Sequence, residues 1–144
     1  MADIPDVRSV RIFVVDDFEP FRRFICSTVA KSRDLQVIAE ASNGRQAIQK
    51  AEELKPDLIL LDIGLPALNG IAVARQIRKV VPESKIIFVT QESSIDVVQE
   101  ALSLGALGYV VKTHAASELL AAVEAVCRGN QFVSSGLSGR SSVQ

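Results

Sequence analysis

Tryptophan is absent from this 144-residue chain, and tyrosine, histidine and methionine occur once each. Aromatic residues make up only 5% of it, so its core must be built from aliphatic side chains. Two cysteines, Cys26 and Cys127, stand far apart with no Cys-x-x-Cys spacing. With His114 as the single histidine they do not supply a zinc site, and they read as small buried hydrophobes. Neither sign of charge dominates: 16 Lys+Arg face 17 Asp+Glu, with no basic run or stripe. That argues against a nucleic-acid-binding module. No apolar run approaches the ~20 residues that a membrane span requires. Met1–Asp6 lacks the basic and apolar regions of a signal peptide, so the expected location is cytoplasmic, without a membrane partner.

Apolar residues are ordinary in number at 48%, enough for one domain with a proper core. Strand candidates are Val10–Val15, Gln36–Ala41, Asp57–Leu61, Lys85–Thr90 and Gly108–Lys112. Leu58-Ile59-Leu60-Leu61 and Ile86-Ile87-Phe88-Val89 are nearly continuous apolar runs, as in parallel strands buried on both faces. Helical stripes lie between them: Phe21/Phe24/Ile25/Val29, Ala47/Ile48/Ala51/Leu54, Ile71/Ala74/Ile77, Ile95/Val98/Leu102 and Leu119/Leu120/Val123/Val126. Pro20 marks one helix start and Asn43, with Gln46 three residues on, another. Gly105 and Gly129 mark two helix ends. Five β/α units imply a doubly wound α/β sandwich. Periodicity leaves the two common strand orders open. The domain is expected over 1–133. Residues 134–144, rich in Ser and Gly, read as a flexible tail or a truncated linker.

Ligands of such sheets bind beyond the C-terminal strand ends. Here the first strand runs into Asp16-Asp17, the third into Asp62, the fourth ends at Thr90 and the fifth at Lys112. Carboxylates gathered at one rim repel by about 3 kcal/mol per pair at about 5 Å and an effective dielectric near 20. Lys112 offers one compensating charge. A hard divalent cation such as Mg²⁺, which favours carboxylate and water oxygens, would supply the rest. A carboxylate facing a metal, an ammonium and backbone N–H groups can act as a nucleophile toward phosphorus. Asp62, followed by Ile63-Gly64-Leu65-Pro66, is the candidate.

Asp16-Asp17, the segment from Asp62 to Gly70, Thr90, Tyr109 and Lys112 together resemble the response-regulator receiver domain, over about residues 9–133. The stretch from Gly108 to Asn130 is similar to the NarL-type subgroup. The resemblance implies a flavodoxin-like fold, a five-stranded parallel sheet of order 2-1-3-4-5 with five helices. It implies that Asp62 accepts a phosphoryl group from a sensor histidine kinase and that Mg²⁺ is held by Asp16, Asp17, Asp62 and the Gly64 backbone carbonyl. Lys112 would pair with Asp62 or its phosphoryl group, the Thr90 hydroxyl would bind the phosphoryl, and Tyr109 would turn inward as the switch. A downstream protein target or a homodimer would receive the signal, with no nucleic acid bound by this chain. Such a protein modifies only its own Asp62 and is not an enzyme with a separate substrate.

Two other functions carry related chemistry. One is the receiver fragment of a DNA-binding transcriptional regulator whose effector domain is missing. The other is an aspartyl-phosphate hydrolase, disfavoured because the nucleophile candidate follows the third strand and no cap insertion is visible. Thr113 stands where many receivers have proline after the lysine. The Lys112–Thr113 bond is still expected to be cis, to aim the ammonium inward. Ala115 starts a helix without a capping oxygen.

Overall fold

The computed structural model describes residues 9–137. Its elements run β1 (Val10–Val15), α1 (Glu19–Val29), β2 (Leu35–Ala41), α2 (Gly44–Leu54), β3 (Leu58–Leu61), α3 (Gly70–Val80), β4 (Lys85–Thr90), α4 (Ile95–Ser103), β5 (Gly108–Val111), α5 (Ala115–Cys127) and β6 (Phe132–Val133). All strand pairings are parallel, in the order β2-β1-β3-β4-β5-β6. The five-stranded order expected from the resemblance is therefore present, and a sixth strand extends it. β6 is only two residues long, pairing Phe132 with Gly108 and Val133 with Tyr109. Two residues are too short a run to show a period, so no strand is expected there from sequence.

The continuous apolar runs are explained by the two faces of the sheet. Successive side chains alternate. Phe13, Val15, Ile59, Leu61, Ile86 and Phe88 join one core with residues of α2, α3 and α4. Ile12, Val14, Leu58, Leu60, Ile87 and Val89 join the other with α1 and α5. Cys26 and Cys127 are free, half-buried and packed against this second core, and burial pushes both thiols above their ordinary range, Cys26 to about 11.

Local signals act as expected at several boundaries. Asn43 caps α2 by accepting from Gln46 N at 2.9 Å, and Gln46 Oε1 reaches back to Ser42 N at 3.3 Å, one residue earlier than a capping box requires. Gly105 and Gly129, with φ of 114° and 89°, follow the ends of α4 and α5. His114 precedes α5 and no side chain caps that helix start.

Two expectations are corrected. No cis peptide occurs among the described residues, so Lys112–Thr113 is trans. A 3₁₀ turn, Lys112–His114, leads from β5 into α5, and the long lysine side chain reaches the rim without the ~2.5–4 kcal/mol that a non-proline cis bond costs. The folded body also extends beyond residue 133: Ser134 is fully buried and Leu137 joins the core that holds Tyr109 and Val111. The rest of the Ser/Gly-rich segment, 138–144, lies outside the described residues, as do residues 1–8.

Candidate functional site

β1, β3, β4 and β5 end at one rim and deliver four elements of a shared pocket. Asp16 N donates to Ala41 O and Asp62 N to Val15 O, so the strand ladders themselves fix both residues. Asp16, Asp62 and Thr90 are buried, while Asp17 is exposed at the mouth. One carboxylate oxygen from each of Asp16, Asp17 and Asp62 lies within 4.8 Å of the others. A cavity of about 400 Å³ is lined by Asp17, Phe18, Asp62, Gly64, Thr90 and Lys112. The seven residues singled out from sequence thus fall on this rim or just behind it, with Tyr109 as the one behind.

Lys112 Nζ lies 2.9 Å from Asp16 Oδ2 and donates to Asp62 Oδ2 at 3.3 Å. The approach to Asp16 lies outside hydrogen-bond geometry, which leaves Oδ2 a buried acceptor without a hydrogen bond. Burial raises the Asp16 carboxyl above its ordinary range, and the Asp62 charge adds to this. The Phe18 N–H and Lys112 only partly oppose them. Three acid groups, one of them desolvated with an unsatisfied oxygen, form a donor set of hard oxygens that suits a divalent cation. Gly64 bounds the same cavity, and its N–H donates to Asp62 Oδ1 at 3.3 Å.

The loop after β3 is held tightly. Gly70 N donates to Ile63 O at 2.8 Å, and a Cβ on Gly70 would overlap the Asp62 carbonyl oxygen. Only glycine lets α3 approach the acidic residue so closely. Asn69 caps the helix by accepting from Ala72 N. Ala67, two residues before Asn69, has φ of 68°, a left-handed conformation that an alanine adopts under strain.

Thr90 Oγ1 accepts a long hydrogen bond from Glu92 N, 3.4 Å. Its proton is then free to face the cavity. Tyr109 is fully buried, its ring 6.1 Å from that of Phe88, and its hydroxyl donates to Glu92 O at 2.7 Å. Burial, with the Glu92 and Asp62 charges, raises its phenol above the ordinary range. The β4–α4 segment is thus tied at Glu92 to both Thr90 and Tyr109.

Three contributors escape a reading of the sequence alone. The Phe21 ring lies 4.6 Å from Lys112 Nζ, a cation–π contact beneath the ammonium. Arg22 donates to the Asp16 carbonyl at 2.9 Å and to Glu40 at 2.8 Å, bracing the acidic pair from α1. The Glu92 backbone carbonyl anchors Tyr109. Phe21 belongs to the apolar stripe of α1 and reads there as core. The available signal was its place in the first turn after Asp16-Asp17, which puts it on the same rim. His114, half-exposed beside Glu118, lies off the pocket lining.

A parallel sheet with clustered carboxylates and an opposed lysine at its C-terminal rim defines the class, and the chain belongs to it: residues 12–124 match the response regulator receiver domain family. Within that family of two-component signalling proteins the likeness is to the NarL/LuxR type. The chain is 36% identical over 121 residues to the response regulator protein VraR of Staphylococcus aureus (strain NCTC 8325 / PS 47), covering 84% of this chain and 58% of that protein. It therefore spans little more than half the length of that curated relative. It superposes with a TM-score of 0.89 and 28% identity on a LuxR-family two-component response regulator from Aurantimonas sp. SI85-9A1, covering 94% of this chain and 99% of the other. The signal receiver domain of the putative response regulator NarL from Mycobacterium tuberculosis gives 0.80 and 28%, covering 85% and 99%.

Proposed function

We propose that Asp62 is the phospho-acceptor of this receiver, modified by a phosphohistidine of a sensor histidine kinase. The observation that carries the reading is Lys112, whose ammonium lies between two buried carboxylates while Asp17 stands within ligand distance of both. One carboxylate oxygen of Asp62 attacks phosphorus, the P–N bond breaks, and its electron pair leaves with the imidazole. Asp16, Asp17, Asp62 and the Gly64 carbonyl would hold Mg²⁺, which when bound neutralises phosphoryl oxygens and organises water. The Asp16 Oδ2 atom, buried without a hydrogen bond, supports that assignment. Lys112 pairs with a phosphoryl oxygen in place of the carboxylate oxygen consumed. The Gly64 N–H and the Thr90 hydroxyl are donors on the same cavity.

Thr90 and Tyr109 form the switch. Thr90 moving toward a phosphoryl group gives up its contact with Glu92 N, and Tyr109 follows through Glu92 O. Here the ring is already buried, so the rearrangement concerns its hydroxyl anchor rather than entry from solvent. A changed surface around α4 and β5 would meet a downstream protein or a second copy of the chain, in the cytoplasm. No substrate other than the chain's own Asp62 is involved, and hydrolysis of the acyl phosphate resets it.

The test is labelling by acetyl phosphate. Wild-type protein is expected to take up one phosphoryl group in the presence of Mg²⁺ and to lose labelling in excess chelator. Asp62→Asn is expected to take up none. Label persisting on that variant overturns the assignment.

A further inference from the structure

Beyond β6 the chain does something that covering a sheet edge does not require. Ser134 N donates to Tyr109 O at 2.8 Å, continuing the ladder by one bond. Its side chain then takes over. Ser134 Oγ accepts from Val111 N at 2.9 Å and donates to Glu118 Oε1 at 2.6 Å. Ser135 donates to Glu118 Oε2 through both its N–H, at 3.2 Å, and its hydroxyl, at 3.0 Å. Leu137 closes the segment by burying its side chain in the core that also holds Tyr109 and Val111. The result is a relay from the last N–H of β5, through a fully buried hydroxyl, to the first turn of α5.

The place of that relay matters. Val111 immediately precedes Lys112, and no proline ring follows to stiffen the turn. Neither the 3₁₀ turn at Lys112 nor the start of α5 has a side-chain cap of its own. Glu118 stands in the first turn of α5, where a carboxylate could serve the helix's own N–H groups. It is given instead to Ser134 and Ser135. Burial works against its charge, yet these donors and His114 hold its carboxyl below the ordinary range. The peptide that launches the site's lysine is therefore held from outside, by the segment through which the chain leaves the domain.

We propose that Phe132–Leu137 is a strap that positions Lys112, with Ser134 as the positioning residue, and that docking of the strap is coupled to modification of Asp62. The proposal rests on the phospho-acceptor assignment above. A docked strap fixes the end of β5, so the ammonium stays aimed at the acid pocket. A phosphoryl group that engages Lys112 draws the same strand end into place and tightens the strap. By linkage the two effects on equilibrium binding are equal. The segment that ends at residue 137 is thus attached to the strand that carries Tyr109 and runs directly into Lys112.

The experiment uses the full chain with beryllofluoride and Mg²⁺, a mimic of the phosphoryl group, read by fluorine NMR. Ser134→Ala is expected to weaken beryllofluoride binding about five- to tenfold, the scale of an ordinary coupling between sites. Ser135→Ala, which loses one hydroxyl bond to Glu118 but leaves the Val111–Ser134 bond in place, is expected to weaken it by less than about twofold. In wild type, beryllofluoride is expected to slow amide exchange at Val111 and Ser134 more than at Val14 and Ile59 in the sheet centre. Should Ser134→Ala fail to fold, the wild-type exchange result and a Glu118→Gln titration, expected to fall between wild type and Ser134→Ala, decide the matter. Unchanged affinity in a folded Ser134→Ala, or no preferential slowing at the strap, overturns the proposal and leaves β6 as an edge cover. Failure of the underlying assignment looks different: wild type would bind no beryllofluoride, or Asp62→Asn would still bind it.

Discussion

The ammonium of Lys112 lies closer to Asp16, at 2.9 Å, than to Asp62, at 3.3 Å. Both carboxylates are buried, so one cation compensates two desolvated acids. Removing one partner of a buried ionic set leaves the others unpaired, which costs about 3–5 kcal/mol. Lys112→Met is expected to be destabilised on that scale in urea unfolding without divalent metal. Added Mg²⁺ is expected to restore a larger share of stability to this variant than it adds to wild type. Equal metal effects on the two proteins would count against Lys112 as the standing counter-charge.

Asp16 gives a pH dependence with a definite sign. Its folded carboxyl lies above the ordinary value of 3.8 because burial, chiefly, disfavours the charge. As pH rises through the window between that value and the raised one, the unfolded chain loses its proton first, so the folded state loses stability. Above the window the loss is complete. Asp16→Asn, without metal, is therefore expected to melt higher than wild type at neutral pH, with the gap shrinking as pH falls toward 4. Thermal melts across that range check it. The same substitution is expected to abolish stabilisation by Mg²⁺, which melts with and without the ion check.

Ala67 is exposed and left-handed, with φ of 68°. An L-residue in that region costs about 1–2 kcal/mol, and glycine's looser unfolded chain costs about 0.5–1 kcal/mol in return. Ala67→Gly is expected to stabilise the fold by about 0.5 kcal/mol, as a higher denaturation midpoint at unchanged slope. A lower midpoint would show that the loop is not strained there.

Tyr109 is the only tyrosine, and there is no tryptophan to obscure it. Its phenol is raised by burial first, then by the charges of Glu92 and Asp62. Stability from this group is present below the unfolded value of about 10 and is lost as pH rises past it. Tyrosinate absorbance is therefore expected to appear together with loss of helical circular dichroism, not before it. Tyr109→Phe removes the donor to Glu92 O and is expected to cost about 1 kcal/mol.

The sheet was legible because parallel strands buried on both faces leave continuous apolar runs, and the β3 and β4 runs are of that kind. The acidic rim was legible because chemistry at strand ends is local: Asp16-Asp17, Asp62, Thr90 and Lys112 each directly follow or close a strand. What could not be read was set by tertiary contact. β6 and Ser134 acquire structure through the open edge of β5 and the Glu118 carboxylate of α5. Phe21 reads as core until Lys112 is seen above it. The cis bond expected after Lys112 assumed that backbone geometry must aim the side chain, whereas the lysine is long enough to reach from a trans peptide.

The order of strands in the sheet carries a consequence for synthesis. β1, made early, ends up between β2 and β3, while the layer over Leu58, Leu60 and Ile87 is completed only by α5. A nascent chain whose α5 is still inside the ribosome therefore presents a bare aliphatic surface and an acid pocket with no lysine. The second core gains its cover and the acid pocket its lysine at nearly the same moment of translation, when Lys112 and the helix behind it emerge.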